Sequence, residues 1–251
     1  MIVDVNAFTG HSTSYPTDGS VSAVRNSLCA VGVDRIFLSP LNAAWFPNPH
    51  RCNQEVYDAS DDFDDIVPVP IIDPTVTTWR DELARAAEHP KVKAVKLLPA
   101  YSPYELSSAD DLLNELAKAV LAAVIQTRLE DPRRQHPLAQ VPDIPASEVA
   151  GVAERHPDLT VIIGGPRWAE IKALSDQLLA LPNLYADVSQ ADGFDSLKLL
   201  VEMGLAPRLL FGSHAPIFIP WSAMARVVND LNNVDAEAIL GGNTERLLHM
   251  E

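Results

Sequence analysis

Residues 94–128 read AVKLLPAYSPYELSSADDLLNELAKAVLAAVIQTR. A short aliphatic run at 94–98 is followed by a longer helical stretch at 107–121, which Ser107 or Ser108 opens as a cap, and then by a second apolar run at 123–128. Two strands separated by a helix of this length pair in parallel, because only a crossover connection can return the chain to the same edge. The pattern continues in both directions. Upstream, strands are expected at 2–8, 35–39 and 66–72, with helices at 19–31, 53–61 and 77–88. Downstream, strands at 160–164, 184–188 and 208–212 alternate with helices at 145–156, 167–180, 194–203 and 220–231. Short helical pieces near 235–240 and 243–249 end the chain. Eight strands, each followed by a helix, predict an α/β fold, a single (β/α)8 TIM barrel spanning residues 1–251 as one domain. A doubly wound open sheet is the rival, and it usually has fewer strands.

Composition narrows the function. The net charge of −15 and the lack of a basic run argue against nucleic acid or an anionic membrane surface as partner. A single local Arg or Lys can still bind an anionic small molecule, which is the expected partner, and a homo-oligomer stays open. The two cysteines, Cys29 and Cys52, form no CxxC pattern. With no leader-like start and no apolar run near 20 residues, a cytoplasmic location is expected. GxSxG, P-loop and HExxH motifs are missing.

Barrel enzymes place their chemistry at the C-terminal ends of the strands. Two long loops follow such ends, at 41–52 and 129–145. Alternation on the fifth strand puts Val124, Gln126, Arg128 and Glu130 on one face. A buried Arg128 should meet Glu130, Asp131 or a bound anion; the alternative is a structural ion pair that fixes the loop. Lys96 shares a face with Ala94 and Leu98, pointing inward to a counter-charge or outward between helices. His214 follows the last strand, where it serves as a general acid/base or as a hydrogen-bonded structural group. His136 lies in the long loop as a lid contact or an exposed side chain, and Tyr101 follows the fourth strand as a substrate contact. His50 and Cys52 have a spacing that a metal site or a solvated loop would equally use. In the opening MIVDVNAFTG (1–10), alternation sets Asp4, Asn6 and Phe8 against Val3, Val5 and Ala7.

DVNAFTG (4–10), TVIIGG (160–165), NLYADVS (183–189), LLFGSHAP (209–216) and AILGGNTERLL (238–248) together resemble the amidohydrolase-related (amidohydrolase 2) metal-dependent TIM-barrel hydrolases. An RxED…QHP stretch follows the fifth strand, here Arg128, Glu130, Asp131, Gln135, His136 and Pro137. The resemblance implies a divalent metal such as zinc, held by imidazoles of an opening Asp-x-His-x-His. Here those positions are Asp4, Asn6 and Phe8; Gln126 and Gly164 stand where histidines are usual, and His214 stands where an Asp is usual. Asn and Gln are poor zinc ligands, so no metal is expected at the usual site. The resemblance implies a hydrolase-like or decarboxylase-like enzyme for a small carboxylate or carbonyl compound. In it Arg128 and Lys96 bind the anion, His214 is the acid/base and Glu130 assists. Asp4, Asn6, Gln126, Asp131, His136 and Tyr101 would touch substrate. The alternatives are a non-catalytic small-molecule-binding barrel, and a metal site rebuilt from His214, His136, Glu130 or Asp131, and His50 with Cys52.

Overall fold

The computed structural model describes residues 1–12, 16–102, 104–135, 137–138 and 140–250. The strands are β1 (Val3–Thr9), β2 (Arg35–Pro40), β3 (Ile66–Pro68), β4 (Ala94–Leu97), β5 (Ala122–Gln126), β6 (Val161–Gly164), β7 (Leu184–Asp187) and β8 (Leu209–Leu210). All ladders are parallel, running β1-β2-β3 and β4-β5-β6-β7-β8. Backbone hydrogen bonds cross both seams. Lys96 N donates to Pro70 O and Ile72 N to Lys96 O between the third and fourth strands. Val5 N donates to Phe211 O, and His214 N to Asn6 O, between the first and last. The sheet is therefore a TIM barrel. Its outer ring includes α1 (Val21–Cys29), α2 (Asn53–Asp62), α3 (Trp79–Glu88), α4 (Asp110–Lys118) and α5 (Ala146–Arg155).

Several element boundaries depart from the sequence pattern for identifiable reasons. β3 stops at Pro68 because Pro68 and Pro70 have no N–H to donate to a ladder, and only a bridge from Ile71 to Lys96 continues it. β8 is short because Phe211 N donates to Ile239 O, in the π-helical turn Ala238–Gly242, rather than to β7. The helix expected at 167–180 is two, α6 (Trp168–Ala173) and α7 (Ser175–Ala180). Neither Ser107 nor Ser108 caps α4; Leu106–Ser108 form a 3-10 turn, and Asp110 and Asp111 supply the acidic first turn. The later helices are α8 (Ser196–Glu202), α9 (Pro220–Asp230), α10 (Asn233–Glu237) and α11 (Asn243–Leu248).

Strict alternation fails on β1. The β1–β2 register shifts between Asp4 and Ala7, a bulge that inserts one residue. Val3 and Val5 thus join the inner cluster with Ala94, Val124 and Ile162, while Ala7 packs in the outer layer with Val95 and Ile125. Above the bulge Asn6 and Phe8 turn toward Lys96. Leu248 of α11 belongs to the same inner cluster. The C-terminal end of the interior is filled by Phe8, Leu41, Ile71, Leu98, Leu129 and Ile217.

Candidate active site

Lys96 is fully buried among the inward-facing residues of β4. An ammonium there needs partners, since an unpaired charge in an apolar interior is very costly. Its Nζ donates to Asn6 Oδ1 at 2.6 Å and lies 3.9 Å from the centroid of the Phe8 ring, whose face attracts a cation. Asn6 Nδ2 donates in turn to Asp187 Oδ2 at 2.7 Å. Asp187 also accepts from Gly165 N, Ser189 N and Ser189 Oγ, so both its oxygens are used. Asp4 Oδ1 accepts from Asn6 N and Ser213 N, each at 3.0 Å, while its buried Oδ2 has no partner.

Burial sets the protonation of these groups. It lowers Lys96 to about 7, against the opposing pull of Asp187 and Asp4. It raises Asp4 to about 6, against hydrogen bonds from Ser213 and Asn6. It raises Asp187 as well, against four donated hydrogen bonds. Glycine is required alongside: a Cβ on Gly212 would sit 3.1 Å from Asn6 Cβ, and Gly165 has φ +67°.

His214 is also fully buried, with φ +59°. Its Nε2 lies 2.7 Å from Leu129 O, an acceptor only, so Nε2 carries the proton. Nδ1 is then a bare lone pair, and it has no partner. Burial pushes the imidazole down to about 3, opposed by the Leu129 bond. The ring sits between Phe8 and Phe218 at centroid distances of 5.2 and 5.1 Å. His214 is therefore neutral near pH 7, with Nε2–H committed to Leu129 O, as the hydrogen-bonded structural alternative expects, and Nδ1 left as an acceptor. Gln126 donates through Nε2 to Arg128 O at 2.7 Å, leaving Oε1 buried without a partner.

Arg128 does not meet Glu130, Asp131 or an open anion site. Its Nε pairs with Asp143 at 2.9 Å, Nη2 with Glu170 at 2.7 Å, and Nη1 donates to Gly165 O at 2.6 Å. Burial would lower its pKa, but Glu170 and Asp143 outweigh that and raise it. The guanidinium ties the loop after β5 to the start of α6, which is the structural alternative. Asp131 turns to Arg133, whose hydrogen bonds pull it down to about 2, on the exposed side of the loop. Glu130 is buried and accepts from Ser12 Oγ at 2.9 Å. Tyr101 packs edge-on against Trp45; burial, then Glu130 and Asp143, raise its phenol. His136 lies outside the described residues. His50 Nε2 accepts from Asp73 N at 3.0 Å, so its lone pair serves the backbone rather than a metal with Cys52. Sequence reasoning missed Asp187 and Ser189; the inward phase of NLYADVS, with an acid at the strand end, is the signal that marks them.

A sequence model of the amidohydrolase family matches residues 45–250. The chain belongs to the amidohydrolase family. No curated protein matches this sequence significantly. Among solved structures, an uncharacterized TIM-barrel protein of Bordetella bronchiseptica superposes with a TM-score of 0.71 at 19% identity, covering 92% of this chain and 83% of that one. The 5-carboxyvanillate decarboxylase of Sphingomonas paucimobilis gives 0.71 at 12%, covering 100% and 99%. A probable 2-pyrone-4,6-dicarboxylic acid hydrolase of Acinetobacter baumannii gives 0.67 at 13%, covering 99% and 99%. At these identities the likeness establishes the fold alone.

Among the described residues of this amidohydrolase-family chain, the side chains at the expected ligand positions do not fit a divalent metal. Asn6 Oδ1 is engaged by an ammonium, Phe8 has no donor atom, and Asp187 already accepts four hydrogen bonds. Among the described residues no group of three or more His, Cys, Asp or Glu is placed to hold a metal ion. Also among the described residues, no helix is long and apolar enough to cross a membrane.

Proposed function

We propose that this chain is an enzyme acting on a small carboxylate or carbonyl compound at the C-terminal end of the barrel, without a divalent metal. The observation that carries this reading is the buried chain Lys96–Asn6–Asp187 inside the barrel, with Lys96 brought toward neutrality and Gln126 Oε1 and His214 Nδ1 left unpartnered. Lys96, oriented by Asn6, stabilises the negative charge that develops on a substrate oxygen. Lys96 also takes the place of His214 as the general acid/base, because a group near pKa 7 both accepts and returns a proton at neutral pH, whereas Asp4, paired with Ile36 of the outer layer, stands behind β1. Gln126 Oε1 and His214 Nδ1 orient substrate donors. Hydrolysis builds charge on the carbonyl oxygen of the attacked carbon, and decarboxylation of a β-keto acid builds it on the enolate oxygen, so Lys96 can stabilise either. Phe8 and Leu129 belong to the apolar cluster that fills this end of the interior over the network. The setting we propose is the cytoplasm, where Cys29 and Cys52 stay as free thiols, as they are here. Homo-oligomerisation is compatible with this reading.

The test is a panel of small lactones, amides, benzoates and β-keto acids assayed for turnover with chelator present. Turnover that survives chelator and falls at least about 100-fold in Lys96→Met supports the reading. Turnover that requires added metal overturns it. A second reading, a non-catalytic binding barrel, draws on the apolar cover over Lys96. It expects ligand-induced stabilisation without turnover of any panel member.

A further inference from the structure

We infer that Lys96 is a built-in cation: its ammonium fills the position between the sixth and eighth residues where the sequence pattern of this family leads one to look for a metal. Three observations converge on it. Its Nζ is bonded to Asn6 Oδ1 and sits on the face of Phe8, the two side chains that replace the expected imidazoles. The buried carboxylate of Asp187 on β7 is joined to it through Asn6, Asp4 behind β1 adds to the attraction, and among the described residues neither has another cation inside the barrel. Lys96 and Arg128 are the buried cations among the described residues, and Arg128 is committed to Asp143 and Glu170. The remaining titratable neighbour, His214, follows β8 and is neutral.

A metal and an ammonium answer the same electrostatic need in different ways. Each lets anionic and amide oxygens converge in a low-dielectric interior, where carboxylates alone would repel one another. The ammonium donates to its partners, however, so it selects an amide oxygen on β1 where a metal selects imidazole. Exchange of the β1 ligands and the presence of Lys96 are thus one compensated change. The inference shares the metal-free interior with the proposed function but not its substrate chemistry, so a protein without turnover can still satisfy it.

The experiment compares Lys96→Met, Asp187→Asn and the double variant by thermal melting at pH 6.5, where the ammonium is retained, and at pH 5, with zinc dialysis of the wild type alongside. Methionine keeps much of the volume and removes the charge. Lys96→Met should melt roughly 10 °C below wild type at pH 6.5. It should recover part of that loss at pH 5, because carboxylates left without their cation have raised folded-state pKa values and lose stability as pH rises. Asp187→Asn should lower the melting temperature in the wild-type background and raise it in Lys96→Met. Wild type should retain no stoichiometric zinc. Equal effects of Asp187→Asn in both backgrounds, or one equivalent of interior zinc in wild type, overturn the inference. If Lys96→Met does not fold, the double variant should; its failure too is the contrary result.

Discussion

Replacing Arg128 with alanine separates a guanidinium that holds the fold from one that waits for a ligand. Its side chain is 2% exposed, whereas those of Asp143 and Glu170 are 24% and 28% exposed. Removing one partner of a buried pair costs about 3–5 kcal/mol when the other partner stays dry. Here both carboxylates can rehydrate, and Asp143 keeps Arg167 at 3.2 Å, so the electrostatic loss is smaller. Gly165 O also loses the Nη1–H that bonds it at 2.6 Å, and an unsatisfied buried carbonyl costs about 1–3 kcal/mol. The sum is roughly 3 kcal/mol, which in a chain of this size lowers Tm by about 6–12 °C. Urea denaturation should give a lower midpoint with an unchanged slope, and limited proteolysis should cut first in residues 129–145. Arg128→Lys should fall between, since an ammonium cannot reach all three acceptors. A variant that melts within about 2 °C of wild type but no longer gains stability from benzoate would refute the structural assignment.

Three further outcomes follow from the geometry. His214 should stay neutral in NMR titration between pH 5 and 8, because its folded pKa is lowered to about 3; the stability this contributes is complete above the unfolded value near 6.5 and is lost as pH falls toward 3. A midpoint near 6.5 in the folded protein contradicts the burial argument. Gly165→Ala should destabilise by roughly 1–3 kcal/mol, because φ is +67° and the new Cβ meets Gln126 Nε2 at 2.8 Å; an unchanged urea midpoint counts against it. His50→Phe should cost about 1–3 kcal/mol by orphaning the Asp73 N–H, with no change in bound metal on elemental analysis. Loss of a bound ion in that variant would restore the His50–Cys52 metal reading.

The barrel was legible because its signal is repetitive: each strand–helix unit restates the period, and one misplaced boundary does not alter the count. The site was less so. Alternation grouped Gln126 with Val124 and Lys96 with Ala94 but left Lys96 inward or outward, and it could not register the bulge between Asp4 and Ala7, because a bulge is defined by the partner strand. Arg128 was rightly suspected of pairing, but Asp143 and Glu170 lie 15 and 42 residues away, and no local pattern announces them. His214 looked catalytic because position is readable and desolvation is not: the environment that lowers its pKa is built by Phe8 and Phe218 from elsewhere in the chain. Asp187 went unnoticed because a lone acid ending an apolar strand gains meaning only beside Asn6.

The most direct measurement is a crystal structure of wild-type protein grown with excess zinc chloride, with diffraction recorded at the zinc absorption edge. The account predicts Lys96 Nζ within hydrogen-bond distance of Asn6 Oδ1 and no anomalous peak between Asn6, Asp187 and His214. An anomalous peak at that position, with Lys96 swung away from Asn6, would contradict it.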